Sequence, residues 1–109
     1  MSDYTEIFQK LIPGLLDIFH GSIQSIILYG SVARGTNTSE SDVDIAVIVY
    51  SYTKNMHEHM TDFIVDLELE YDKVFSVLLI DYGQFNKWKH TMPFYKNITK
   101  EGIQLWPES

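Results

Sequence analysis

"ILYGSVARGTNTSESDVDIAVIV", residues 27–49, is the stretch on which the reading of this chain turns. An apolar run ends at Tyr29, a Gly-Ser turn follows, and a polar loop leads into a second apolar run that opens with Asp42 and Asp44. Residues two apart in a strand point to the same side of a sheet. The two carboxylates therefore project together from the start of a strand whose body, Ile45–Val49, is apolar on both faces. Carboxylates held this close repel each other unless a cation lies between them. Mg²⁺ suits such a place, because it takes oxygen ligands, commonly one or two carboxylates together with substrate phosphates.

The Gly30-Ser31 turn supplies the complement. Glycine leaves room for a ligand to approach the backbone, and amides at the start of a following helix can bind an anion. Ser31 adds a hydroxyl, Arg34 lies one turn further on, and Gly35 with "TNTSES" makes a flexible loop that returns to Ser41 and Asp42. A Gly-Ser turn alone means little. Joined to the acidic pair, it offers amides for phosphate and carboxylates for metal, which is what nucleoside-triphosphate chemistry needs.

Outward from this stretch, Ile7, Phe8, Leu11, Ile12, Leu15, Leu16 and Phe19 recur at helical spacing, and His20-Gly21 reads as the stop. Pro13 is expected to kink or restart that helix. Strands are expected over Ser25–Tyr29, Val43–Tyr50 and Val74–Ile80. A helix opens where Asn55 and Glu58 have the pattern of a cap, and it carries Met56, Met60, Phe63, Ile64, Leu67 and Tyr71 on one side. Asp62, Asp66 and Glu70 form a solvated stripe on another side. "PFYKNITKEGIQLW" reads as a short helix ending at Gly102, then an apolar tail. The order αββαβα gives an α/β (α+β) fold, a small mixed sheet with helices packed on it.

A length of 109 residues sets the expectation of one domain, 1–109, with little room for a second. No apolar run is long enough to span a bilayer, and "MSDYTEIFQK" lacks the basic start and apolar core of a secretory signal, so the cytoplasm is the expected compartment. The absence of cysteine excludes disulfides and thiolate metal sites. A formal charge of -7 argues against general affinity for nucleic acid. The charge is uneven: residues 58–72 hold six acidic groups, while Lys87, Lys89, Lys96 and Lys100 are half of all the basic residues. Such a lysine-rich quarter is a solvated face or a receptor for an anionic ligand or acidic partner. His57 and His59 do not share a helix face, which argues against a zinc site. Trp88 and Trp106 fit core cover or an interface better than base stacking.

Gly30-Ser31, ten intervening residues, then Asp42-x-Asp44 resembles the signature of the DNA polymerase beta-like nucleotidyltransferase superfamily. "LYGSVARGTNTSESDVDIAVIV" is similar to its minimal nucleotidyltransferase (MNT) branch, whose members are single small domains. The resemblance implies a palm-like mixed sheet, a nucleotide held by Gly30, Ser31, Arg34 and Ser41, and Mg²⁺ bound by Asp42 and Asp44 as the catalytic pair. It implies transfer of a nucleoside monophosphate, AMP from ATP in the leading reading, to a hydroxyl with release of pyrophosphate. In that branch the partner is often a helical protein of the HEPN family. The MNT acts as antitoxin by adding AMP to a toxin tyrosine. Two other readings stay open: a subunit modifying a small-molecule hydroxyl, as antibiotic-modifying relatives do, and a domain that only binds nucleotide or a partner. A homo-oligomer also stays open. The superfamily usually has a third carboxylate inside the next strand, and the matching position here is Ser76. Asp72 and Asp81 flank that strand and are expected to lie too far along the chain to replace it.

Overall fold

A computed structural model of the chain describes residues 4–108. Its elements run α1 (Thr5–Phe19), β1 (Ile23–Tyr29), α2 (Gly30–Arg34), β2 (Val43–Val49), α3 (Lys54–Tyr71), β3 (Phe75–Asp81), α4 (Tyr82–Trp88), α5 (Pro93–Glu101) and β4 (Ile103–Trp106). The four strands form one sheet in the order β3-β2-β1-β4. β1 pairs antiparallel with β2 and β4, whereas β2 and β3 are parallel. That parallel pair requires a crossover, and α3 provides it.

Alternation along the strands sorts two cores. Val43, Ile45, Val47 and Val49 of β2, with Ile26 and Leu28 of β1, face α1 (Leu11, Leu15, Phe19) and α3 (Met60, Ile64, Leu67). The opposite face buries Ile27, Ala46, Ile48 and Ile80 beneath Phe85 of α4 and Ile98 of α5, and leaves Leu78 exposed at the β3 edge.

α1 continues through Pro13 rather than restarting there. Proline removes a single amide, and Leu11 and Leu15, both fully buried, hold the two halves to one core. The stop falls where expected: His20 is left-handed (φ 50°) and its N–H reaches the Leu16 carbonyl at 3.1 Å. The α3 cap is not the Asn55/Glu58 pair. Thr53 caps it, its hydroxyl accepting the Met56 N–H at 3.1 Å, so the helix begins at Lys54. The acidic stripe is exposed as expected, with Glu70 paired to Lys10 of α1.

Two further elements depart from the sequence reading. α4 follows β3 directly, because the Asp81 carboxylate accepts the Gln84 N–H at 3.0 Å and so starts a helix. The apolar tail is a strand: Gly102, where a Cβ would collide with the Ile98 carbonyl and the Ile27 side chain, turns the chain so that Ile103 and Gln104 pair with Leu28 and Ile27. Among the described residues, no helix is long and apolar enough to cross a membrane.

Candidate active site

β1 ends at Tyr29, which stands opposite Asp44 in the antiparallel register. Gly30 follows in the left-handed region (φ 75°), and a Cβ there would overlap the Asp44 carboxylate. Two independent demands therefore fix glycine at this position: the backbone conformation and the close approach of an acid. α2 carries Ser31 and Arg34 away from the turn, and Gly35 (φ 76°) closes it, its amide meeting the Ser31 and Val32 carbonyls.

Asp44, on the β2 face that also carries Ala46 and Ile48, is half-buried, and Asp42, just before the strand, is exposed. Burial pushes the Asp44 carboxyl above the ordinary carboxylate range, the neighbouring Asp42 charge adds to the rise, and the Arg34 cation works against it. Burial, and then the Asp44 charge, also push the Tyr29 phenol up. The structure thus brings Gly30, Arg34, Asp42 and Asp44 into one electrostatic unit. An Asp44 carboxylate whose charge is disfavoured by burial and by the neighbouring Asp42, with Asp42 open to solvent, forms a donor set that fits a hard divalent cation.

Ser76 is the direct neighbour of Asp44 in the parallel β2–β3 register, so no carboxylate stands beside the acidic pair on β3. Asp81 is five residues further along the strand, opposite Val49, about 16 Å away at strand rise. Its carboxylate is occupied in capping α4. Asp72 caps α3 in the left-handed region (φ 52°) and lines a separate cleft with Ser41, Glu68 and Lys73. Among the described residues, no cluster of three or more metal-ligating side chains occurs.

The loop expected to be flexible is tied internally. Ser41 Oγ accepts the Thr38 N–H at 2.9 Å, Ser41 N–H meets the Thr38 carbonyl at 3.1 Å, and Asn37 Nδ2 donates to the Tyr4 hydroxyl at 3.3 Å. Ser41 thus holds the approach to Asp42 in place. Beside Gly30 opens a cleft of about 240 Å³ lined by Tyr29, Arg34, Phe94, Asn97, Ile98 and Glu101. Glu101 reaches Arg34 at 3.8 Å, and Phe94 meets the Tyr29 ring edge-on at 5.6 Å. Phe94, Asn97 and Glu101 escaped the sequence reading because α5 meets α2 only through the tertiary fold. Tyr29, adjoining the turn, could have been found.

A mixed sheet with a Gly-Ser turn closing one strand against an Asp-x-Asp pair on the next defines a nucleotidyltransferase. Residues 15–109 match the family "Polymerase beta, Nucleotidyltransferase", and the chain belongs to it as an enzyme of that class. A Methanocaldococcus jannaschii protein that carries the name protein adenylyltransferase is 32% identical over 98 residues, which are 90% of this chain and 93% of the relative. Among solved structures, a chain of a toxin–antitoxin complex with AMP-PNP is 26% identical with a TM-score of 0.59, covering 94% of this chain and 74% of the other. A chain of the complex of tri-AMPylated Shewanella oneidensis HEPN toxin with MNT antitoxin shares the fold at 22% identity and a TM-score of 0.51, over 94% of this chain and 72% of its own.

Proposed function

We propose that this enzyme transfers AMP from ATP, with Mg²⁺, to a hydroxyl on a partner protein, and that the pair is a toxin–antitoxin module in which a tyrosine of a HEPN-type toxin is the acceptor. The observation that carries the reading is the close approach of Gly30 to the Asp44 carboxylate, which supports backbone amides for phosphate beside a carboxylate pair for metal. The name of the 32%-identical relative supports a protein acceptor, and the AMP-PNP complex supports an adenine nucleotide.

In this reading the amides and hydroxyl of Gly30-Ser31 hold the triphosphate tail, and Arg34, freed from Glu101, offsets its charge. Asp42 and Asp44 hold the metal, which when bound supplies charge neutralisation at the transferring phosphoryl group. The acceptor oxygen bonds to the α-phosphorus, the bond to pyrophosphate breaks, and the hydroxyl proton passes to solvent water. Because that displacement is in line, the acceptor oxygen stands opposite the leaving pyrophosphate, at the Asp42–Asp44 pair. There Ser76 stands where a carboxylate base would help, and serine cannot serve as one at neutral pH. Transfer is therefore slower than in relatives with three carboxylates.

Thermal melting tests the site. ATP and Mg²⁺ together should raise Tm more than either alone, by the equivalent of about 2.7 kcal/mol at a hundredfold excess over Kd. Equal stabilisation by ATP in EDTA would remove the metal from the site. Labelled ATP, with and without the product of the neighbouring gene, tests the acceptor.

A further inference from the structure

Residues 82–100 contain four lysines and a histidine but no aspartate or glutamate, so this stretch carries +4 in a chain whose net charge is -7. The fold gathers that charge. Lys89, His90, Lys96 and Lys100 line one open cleft of about 340 Å³ with Asn97 and Thr99. The ion pairs among the described residues are Lys10–Glu70 and Arg34–Glu101, so none of these lysines has a carboxylate partner. The same stretch exposes Trp88 (42%), Met92 (44%) and Phe94 (39%). Asn97 also lines the cleft beside Gly30 and Arg34, which makes the basic surface continuous with the candidate active site.

Solvation alone accounts for exposed lysines, but not for exposed large apolar side chains among them. Exposed apolar side chains carried on the same helix–turn–helix as one sign of charge are the composition of a recognition surface. We propose that α4, α5 and the turn between them form the docking surface for an acidic, aromatic-compatible segment of the acceptor protein. The proposal rests on the protein-acceptor reading above. A short acidic segment matches the patch, which is confined to one helix–turn–helix, while a long polyanion would run onto a surface that carries the remaining charge of -11.

The probe is a fluorescent peptide with one tyrosine flanked by glutamates, followed by anisotropy at low ionic strength on the full chain. The wild-type protein should bind it, and added salt should weaken binding. Lys89→Glu/Lys96→Glu/Lys100→Glu should weaken it at least about tenfold, the glutamine triple by less, and Lys54→Glu on α3 should leave it unchanged. A lysine-flanked peptide should not bind. No binding of the glutamate peptide, or binding unchanged in the triple variant, would overturn the proposal. So would a short single-stranded RNA that binds more tightly and loses binding in the same variant. Peptide binding without AMP transfer to any acceptor would uphold the docking surface and count against the transferase reading. Transfer to protein at a rate untouched by the triple variant would do the reverse.

Discussion

Val43, Ile45, Val47 and Val49 on one side of β2 are wholly covered by α1 and α3, whereas Asp44, one residue from Ile45, lies half-buried on the side that α4 and α5 leave partly open. One strand therefore serves two purposes by alternation alone. Its covered face contributes the stability that lets its other face hold two repelling acids. Burial first, and then the Asp42 charge, disfavour the ionised Asp44 in the isolated protein, and a cation with a phosphate ligand would offset that.

The largest expected effect separates the faces by stability. Leu15→Ala or Ile45→Ala, each fully buried against the covered face, should cost about 2–5 kcal/mol in denaturant unfolding. Leu78→Ala, at 40% exposure on the β3 edge, should stay within about 1 kcal/mol. Comparable losses at Leu15 and Leu78 would mean that the second face is also closed.

Next comes the turn. Gly30→Ala places a side chain at φ 75° and into the Asp44 carboxylate. The backbone conformation alone should cost about 1–2 kcal/mol, and the Mg-ATP shift in Tm should disappear. A variant with wild-type nucleotide binding would show that the Gly30–Asp44 contact is not part of the site.

Ser76→Asp sharpens the comparison from the open side. It adds a third acid beside Asp44, so Tm should fall in EDTA and recover with Mg²⁺, and the transfer rate should rise. A rate that stays flat would argue that the acceptor is activated elsewhere.

The smallest effect is the pH dependence of Asp44. Burial and the Asp42 charge raise its folded-state carboxyl above the unfolded value, so the ionised form destabilises the fold. That penalty is full above the folded-state pKa and absent below the unfolded one. Asp44→Asn should therefore raise Tm slightly at neutral pH, with the gain vanishing on acidification through the carboxylate range. A gain that grows in acid would reverse the sign of the argument.

Much of this was legible in residues 27–49, because local rules govern it: strand alternation places Asp42 with Asp44, and the turn needs its glycine. The β3 register was also legible, and Ser76 stands beside Asp44. The rest depended on tertiary pairing. The tail 103–106 has too few residues to announce a strand, and only β1 gives it partners. Thr53 outcompeted Asn55 as a cap because its hydroxyl reaches the Met56 amide, a matter of geometry rather than pattern. Phe94 and Glu101 join the site from α5, more than sixty residues away from the turn they face.

If the acidic pair at the start of β2 holds the metal, nucleotide transfer depends on Asp42 and Asp44 while the fold does not. Incubation of labelled ATP, Mg²⁺ and the neighbouring-gene partner with wild-type protein and with Asp42→Asn/Asp44→Asn tests it most directly. Wild type should label the partner, the double variant should not, and the variant's Tm in EDTA should equal or exceed that of wild type. Transfer retained by the double variant would contradict it.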